Sequence, residues 1–300
     1  MDHMEFSSAD VKALKKKYRK RSQALEVWRR LRKNRTAMLG LGILIVLVLV
    51  SLFADVIADY DTMAIKQNIR NRLQTPSAEH WLGTDEYGRD IFARIVHGTR
   101  ISLYAGLLTV GIGLVLGTFL GAVAGYYGGR LDNAIMRMLD ILLAIPNILF
   151  AMAVVAALGN SNLNLLLALG IANVPKFARV VRASVISLKD QEFIEASRAI
   201  GAGEGNIIMN HILPNCLAPI IVQSTLRVAI AVISISGLSF LGMGIQPPVP
   251  EWGSMLTAGR SYMRDAPHLA LLPGLAIILT VLALNLLGDG LRDALDPRLR

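Results

Sequence analysis

Apolar residues are gathered into long blocks along this chain, and polar residues fall between the blocks. The clearest block runs from Met38 to Ala54 without a charged residue. An apolar run of about 17 or more residues is long enough to cross the hydrocarbon core of a membrane as a helix. The chain is therefore predicted to be all-α, a polytopic membrane protein with six transmembrane helices. The predicted spans are 37–58, 101–125, 133–158, 162–183, 216–241 and 268–289.

The composition agrees with a membrane protein. Hydrophobic residues make up 53% and charged residues 18% of the 300-residue chain, whereas soluble domains carry about 25% charged residues. The single cysteine, Cys216, excludes an internal disulfide and a cysteine-based metal cluster.

The formal net charge of +9 is concentrated at the start of the chain, because 12 of its 31 lysine and arginine residues precede residue 37. Basic residues beside a span normally mark its cytoplasmic side, so the N-terminus is predicted to be cytoplasmic, and six crossings return the C-terminus there. This placement argues against nucleic-acid binding.

Residues 1–36 are predicted to form a cytoplasmic basic helix, which lies on anionic membrane lipid or serves only as an orientation signal. Residues 37–300 form the transmembrane domain.

Small residues recur on one face of the second predicted span, which has glycines at positions 113, 117, 121 and 125. Such a face lets another helix approach closely. The spacing predicts tight packing but does not identify the neighbouring helix.

Two charged residues stand inside predicted spans, Asp140 and Arg227. Charges are costly there and usually face a cavity or a partner. Each residue either lines a translocation path or forms a hydrogen bond or ion pair between helices, and the second interpretation is preferred. Pro146 is predicted to kink the third span, because an interior proline removes a backbone hydrogen bond.

The longest polar segment after the third span is the predicted cytoplasmic loop 184–215. Its sequence predicts a short helix, a bend at Gly201, and a second helix from about Asn206. Small side chains at Ala196, Ser197 and Ala199 would let the first helix sit in a groove of another protein. The alternative is an ordinary connecting loop.

The loop resembles the cytoplasmic docking motif of bacterial ABC importer permeases, which reads Glu-Ala-Ala, three residues, Gly, and then nine residues to Ile-x-Leu-Pro. The matching positions are Glu195, Ala196, Gly201, Leu213 and Pro214. Ser197, followed by Arg198, replaces the second alanine, and His211 replaces the isoleucine. The ending His-Ile-Leu-Pro-Asn is similar to that of the dipeptide, oligopeptide and nickel branch.

Three further segments resemble that branch, in the correct order. An outer-loop motif begins at His80 and includes Gly83, Thr84, Asp85, Gly88, Arg89 and Asp90. A second lies within 237–256 and a third within 288–298. The outer-loop carboxylates are interpreted as part of a loop-stabilising Asp–Arg network rather than as a catalytic pair, and the contact with a binding protein is a candidate location for it. His80 and His97 are too isolated to argue for a metal site.

The resemblance implies the type I ABC importer permease fold in the inner membrane of a bacterium. It implies three partner types: a second homologous permease, two cytoplasmic ATPases and an extracytoplasmic binding protein. Membrane lipid is a further expected partner, because of the basic N-terminal helix. The chain lacks a Gly-Lys pair and hence the phosphate loop G-x-x-x-x-G-K-[ST]. We therefore expect this chain to be no enzyme by itself and to bind no cofactor, with ATP and Mg²⁺ in the ATPase subunits.

The implied function is import of dipeptides or oligopeptides by alternating access. The docking segment is expected to use Glu195, Ala196, Ser197, Arg198, Gly201, Leu213 and Pro214. Nickel import is the alternative within the family, since the same motifs serve both substrates. A self-sufficient channel or a membrane enzyme is the alternative of another class, but a channel needs no docking motif and an enzyme needs a cluster of histidines or carboxylates.

Overall fold

The computed structural model describes residues 23–295, and every element of regular structure in that range is a helix. The predicted all-α class is therefore confirmed for this range. The principal helices are α1 (Gln23–Lys33), α2 (Arg35–Leu52), α3 (Ile91–Tyr127), α4 (Gly129–Ala144), α5 (Asn147–Leu158), α6 (Asn162–Leu188), α7 (Glu192–Ala199), α8 (Leu217–Phe240), α9 (Trp252–Arg260) and α10 (His268–Leu295). Shorter helical turns lie at Ala54–Ile57, Tyr60–Ile65, Ile69–Asn71, Glu204–Asn206, Ile207–Ile212 and Leu213–Asn215.

Five helices, α2, α3, α6, α8 and α10, are long and apolar enough to cross a membrane. The pair α4 and α5 makes a sixth candidate, but its two helices are bent by 87°. The predicted bend at Pro146 is confirmed, but it separates two helices and does not kink one continuous helix over 133–158. Ile145, which precedes Pro146, adopts an extended conformation with φ −93° and ψ 125°, as a residue before proline prefers. The helix ends there, and α5 begins after Pro146.

Helix α3 begins ten residues before the predicted second span, within the segment assigned to a loop. Asp90 caps it, because its side chain accepts a hydrogen bond from the Ala93 amide at 2.9 Å. Its first turns carry Arg94, His97 and Arg100, so the apolar pattern alone placed the boundary too late.

The glycine face of α3 packs against α6 of the same chain. A Cβ atom at Gly117 would lie 2.5 Å from Cβ of Phe177, and one at Gly121 would lie 2.4 Å from the carbonyl oxygen of Ala178. Gly113 and Gly125 meet α6 at similarly short distances. These glycines bring α3 and α6 into backbone contact, which identifies the neighbour that the spacing alone did not.

The described part of the N-terminal segment packs against α10 through Leu31, which is buried, while Leu25 and Trp28 are exposed. Residues 1–22 of the predicted basic helix lie outside the described residues, as do residues 296–298 of the C-terminal motif. Asn34 separates α1 from α2 and caps α2 by accepting from the Ala37 amide at 3.1 Å.

The two ends of the bundle differ in what they carry. One end holds the segment 53–90 and helix α9, and we call it the Trp252 end. The opposite end holds α1, α7 and the turns from Glu204 to Asn215, and we call it the Glu195 end.

Candidate functional site

Helix α7 is a short helix with a defined stop. The amide of Gly201 donates to the carbonyl of Arg198 at 2.9 Å, and the amide of Ala202 donates to that of Ser197 at 3.1 Å. This pair of bonds closes a helix end when the residue after it is left-handed, and Gly201 has φ +83°. Gly201 therefore stops α7 and turns the chain, as the bend in the sequence indicated.

The buried side of α7 fixes it to the transmembrane helices. Ile194 is 0% exposed and packs in a cluster with residues of α3, α6 and the following turns: Ala122, Tyr126, Val181, Val185, Ile207, Ile212, Cys216 and Ile220. Ile194 therefore anchors α7 against the ends of α3 and α6, and on this side the segment is packed onto the bundle.

Ser197 lies on this buried side, contrary to its expected place on an exposed small-residue surface. Its side chain is buried, and its hydroxyl donates to the carbonyl of Phe193 at 2.8 Å. With 3.6 residues per turn, Ser197 follows Ile194 by three residues and shares its face. A small side chain at Ser197 therefore serves packing within the chain.

The opposite side of α7 is exposed. It presents Glu195, Ala196, Arg198 and Ala199, and it ends at Ile200, which is 85% exposed. The Arg198 guanidinium also lies over the Tyr126 ring, 5.6 Å from its centroid. An exposed helix face with an apolar tip and a charged flank is suited to contact another protein.

The chain returns from α7 to α8 through three consecutive turns. Ile207–Ile212 is a π-helix, and Leu213–Asn215 follows with Pro214 in its first turn. Ile207 and Ile212 are fully buried, whereas Pro214 is exposed. The predicted second helix is therefore present from Glu204 as these turns, and Leu213 is only partly buried.

The motif at the Trp252 end folds around the carboxylate of Asp85. Its Oδ1 accepts from the amides of Tyr87 and Arg89, both at 2.9 Å, and its Oδ2 accepts from Arg89 Nε at 2.7 Å. Arg94 Nε lies 3.4 Å from the same oxygen. All three charged side chains are buried, so the carboxylate is satisfied within the chain.

Thr84 and Asp90 complete this motif by joining distant parts of the segment. Thr84 Oγ1 donates to the carbonyl of Asn71 and accepts from the amide of Gln74 at 2.9 Å. Asp90 caps α3 with one oxygen, and its Oδ2 lies 2.8 Å from Nδ1 of His80. The bonding pattern is that of a structural Asp–Arg network.

Gly83 and Gly88 are required by the close approach of the backbone. Both have positive φ values, +81° and +71°. A Cβ at Gly88 would lie 1.8 Å from the carbonyl oxygen of Asn68, and one at Gly83 would lie 2.4 Å from that of Gln74.

Glu86 lies beside this network and has an altered pKa. Loss of hydration on burial raises the pKa of the Glu86 carboxyl above its usual value, and the neighbouring charge of Asp85 acts in the same direction. Arg89 Nη2, at 3.8 Å, is too distant to offset the effect.

The sequence reasoning missed Arg94 and Glu251 as structural centres of this end. Arg94 Nη1 donates to the carbonyl of Ala64 at 2.9 Å, which ties the segment before the motif to α3. Glu251 is 0% exposed and caps α9 through the amides of Gly253 and Ser254, both at 2.8 Å. Glu251 precedes a helix in the pattern of a capping residue, and this signal could have identified it.

Polar residues inside the helices form pairs. Asp140 Oδ1 lies 2.6 Å from Arg179 Nη2, and both side chains are about half exposed. Arg227 lies beside Gln223 of the same helix, and its Nε and Nη2 are 2.9 Å and 3.2 Å from the side-chain amide of Gln223. The pairing of Asp132 with Arg182 was not predicted from the sequence.

Among residues 25–295 we find no group of three or more histidine, cysteine, aspartate or glutamate side chains able to hold a metal ion. His97 is buried and its Nε2 lies 2.8 Å from the carbonyl of Ala58, which is a structural contact.

Two family models match the sequence. "Binding-protein-dependent transport system inner membrane component" matches residues 117–300, and "N-terminal TM domain of oligopeptide transport permease C" matches residues 22–76.

Curated relatives match nearly the whole chain. Dipeptide transport system permease protein DppC of Alkalihalophilus pseudofirmus is 50% identical over 275 residues, covering 92% of this chain and 90% of the relative. Glutathione transport system permease protein GsiD of Escherichia coli O157:H7 is 49% identical over 277 residues, with the same shares.

A solved structure shares the fold. The inward-facing MetNI methionine ABC transporter contains a chain that is similar with a TM-score of 0.55 at 19% identity, covering 68% of this chain and 96% of that one. At this identity the likeness concerns the fold, and it confirms the expected ABC importer permease architecture.

Proposed function

Because the chain belongs to the family of binding-protein-dependent transport system inner membrane components, we propose that it is one permease subunit of an ATP-driven importer of short peptides. The membrane-spanning helices of this subunit form part of the path. ATP hydrolysis takes place in two partner ATPases, so this chain is not itself an enzyme and binds no nucleotide or Mg²⁺.

The choice of peptides rests on the relatives. The two described above are named for dipeptide and glutathione transport, and both substrates are short peptides. This agreement favours peptides over the nickel alternative, since neither name refers to a metal.

The observation that carries the docking proposal is the two-sided construction of α7. Its buried side, with Ile194, joins the ends of α3 and α6, and its exposed side presents Glu195, Ala196 and Ile200. A rigid helix that is exposed on one side and packed on the other can transmit movement from a bound ATPase to the spans. Nucleotide-driven closure of the ATPases then tilts the spans toward the outward-open state.

The Trp252 end is assigned to the binding-protein side, and the Glu195 end, with both termini, to the cytoplasmic side. The basic residues of α1 support this orientation. The Asp85–Arg89–Arg94 network holds the outer segment in a fixed shape that a binding protein can recognise.

The test is purification of the tagged chain from its native host in mild detergent, followed by mass spectrometry of proteins and bound small molecules. We expect a second permease, ATPases and a binding protein that holds peptides. The variant Ala196→Arg is expected to co-purify with the second permease but no longer with the ATPases. Asp190→Arg, which adds the same side chain at an exposed position before α7, is the matched control.

If the binding protein holds nickel and no peptide, the substrate is nickel and the peptide proposal is wrong. Purification of the chain alone or as a homo-oligomer, in several detergents, would contradict the importer proposal itself.

A further inference from the structure

Two basic side chains lie at the middle of the bundle without an acidic partner. Lys176 is one residue past the midpoint of α6, and Arg227 is within two residues of the midpoint of α8. Each helix is more than 20 residues long, which is enough to cross a hydrocarbon core about 30 Å thick, and both residues stand far from either helix end.

Other basic residues of α6 are paired. Arg179 and Arg182, which follow Lys176 by about one and two turns, contact Asp140 and Asp132 of α4. In the part of the chain from 25 to 295, neither Lys176 nor Arg227 has a carboxylate oxygen within 4 Å. The neighbour of Arg227 is the uncharged amide of Gln223.

The two cations stand on neighbouring helices. Helices α6 and α8 are in contact, and Phe177 and Val228, which directly follow the two cations in the sequence, lie in one buried cluster. Two like charges inside a membrane repel and are both expensive to desolvate. An anion placed between them would relieve both costs, and charged residues inside a span often mark the path of an ion or substrate.

A carboxylate fits this site best. The guanidinium fork of Arg227 matches a carboxylate with two parallel hydrogen bonds, and the Lys176 ammonium supplies a point charge beside it. A short peptide carries a terminal carboxylate whatever its side chains are. Lipid phosphates lie at the membrane surfaces, about 15 Å from the bilayer centre.

We propose that Lys176 and Arg227, with Gln223, form an anion site in the translocation path that holds the C-terminal carboxylate of the peptide in transit. This inference rests on the proposed peptide import. Such a site would let the path bind peptides with different side chains, because it contacts only the terminal carboxylate that they all share.

The test uses the complete importer in proteoliposomes and a labelled peptide in two forms, with a free C-terminal carboxylate and with a C-terminal amide. Affinity of the binding protein for each form is measured separately and is the same for every permease variant. In the double variant Lys176→Met and Arg227→Met, the uptake rate of the free-acid peptide is expected to fall about tenfold or more. A loss of this size corresponds to the loss of one hydrogen bond to a charged group. Its relative loss for the amide should be much smaller.

Charge-conserving changes provide the rescue. Lys176→Arg combined with Arg227→Lys should keep most of the uptake, and Arg137→Met, which removes an exposed arginine of α4, should leave it unchanged. If the binding protein does not deliver the amidated peptide, the test rests on the free-acid peptide alone. Its uptake should then be lost in the neutral double variant and kept in the charge-conserving double variant.

The proposal is overturned if the neutral double variant imports the free acid at the wild-type rate, or if both double variants lose uptake equally. It is also overturned if neutralisation releases the second permease, because the cations would then serve the contact between subunits. If the wild-type complex imports neither peptide form, the proposed peptide function fails instead, and that outcome is visible before any variant is made.

Discussion

Arg182 holds both carboxylate oxygens of Asp132, with Nε 2.6 Å from Oδ1 and Nη2 2.6 Å from Oδ2. The pair joins α4 to α6 near the Glu195 end, beside the buried cluster of Leu139, Val174 and Ala178. A planar bidentate pair constrains both distance and orientation. It is therefore the strongest electrostatic link between the bent α4–α5 pair and the rest of the bundle.

Removing this pair should loosen α4. We expect Asp132→Asn to lower the free energy of unfolding by about 1–2 kcal/mol, at the lower part of the range for charged hydrogen bonds because Arg182 is one-third exposed. Thermal melting of the detergent-purified chain measures the effect, and combining it with Arg182→Gln should give much less than the sum of the two losses. Asp140→Asn is the matched control, because the pair of Asp140 with Arg179 is half exposed. An equal loss of stability in this control would contradict the stronger role given to the pair of Asp132 with Arg182.

The second prediction concerns the close backbone contact at Gly88. Gly88→Ala places a Cβ 1.8 Å from the carbonyl oxygen of Asn68, so the segment must move and the Asp85 network with it. Gly129→Ala has a similar positive φ of +57° but nothing within 4 Å of the new Cβ. It should cost only the backbone strain, about 1–2 kcal/mol, whereas Gly88→Ala should cost clearly more. Equal melting temperatures for the two variants would show that the contact is unimportant.

Stability should depend on pH through Glu86, whose pKa is raised by burial. A raised pKa in the folded state means that folding favours the protonated form of Glu86. The stability of the folded chain is therefore highest, as far as Glu86 is concerned, below the usual carboxyl pKa of 4.5, and it decreases as pH rises through the raised pKa. Glu86→Gln should therefore melt at the same temperature as wild type at pH 4 and below, and at a higher temperature near pH 7. Glu79→Gln changes an exposed carboxylate of the same segment. A pH-dependent gain of equal size in that control would refute a role for burial.

Much of this architecture could be predicted from sequence because its causes are local. The charge-free block from Met38 to Ala54 predicts a span by length and composition alone. The bend at Gly201 follows from its place after a helix-favouring run, and the glycine repeat at 113–125 predicts close packing.

What could not be predicted depends on how helices are rotated and paired. Ser197 has the right size for an exposed surface, but only the position of Ile194 in the cluster shows that its face points inward. A proline such as Pro146 is compatible with a kink or a full break, and only the extended conformation of Ile145 and the 87° bend show the break. The partner of Asp140 lies 39 residues away on α6, beyond the reach of any periodicity.

Gly201 offers a test of coupling. Its φ is +83° and a new Cβ would meet nothing within 4 Å, so substitution strains the backbone without a steric clash. We expect Gly201→Val to shift the exposed face of α7 and to reduce ATP-driven uptake severalfold while membrane insertion stays normal. Gly201→Asn should be milder, because asparagine tolerates the left-handed region better. Gly201→Asp should likewise uncouple transport, because it adds a charge at the docking surface, and normal uptake in that variant would count heavily against the docking role.

The two isoleucines of the α7 region separate folding from docking most directly. Ile194 is 0% exposed and Ile200 is 85% exposed, and the two side chains are chemically identical. Ile194→Ala should lower the free energy of unfolding of the isolated chain by about 2–5 kcal/mol, because it leaves a cavity among α3, α6 and α7. Ile200→Ala removes the same atoms from the surface, so the melting temperature should stay within about one degree of wild type. Association with the ATPase subunits, measured by co-purification and by binding-protein-stimulated ATP hydrolysis, should nevertheless weaken. A variant of Ile200 that keeps full association would remove this side chain from the docking surface, and a stable Ile194→Ala chain would contradict the anchored arrangement of α7 on which coupling depends.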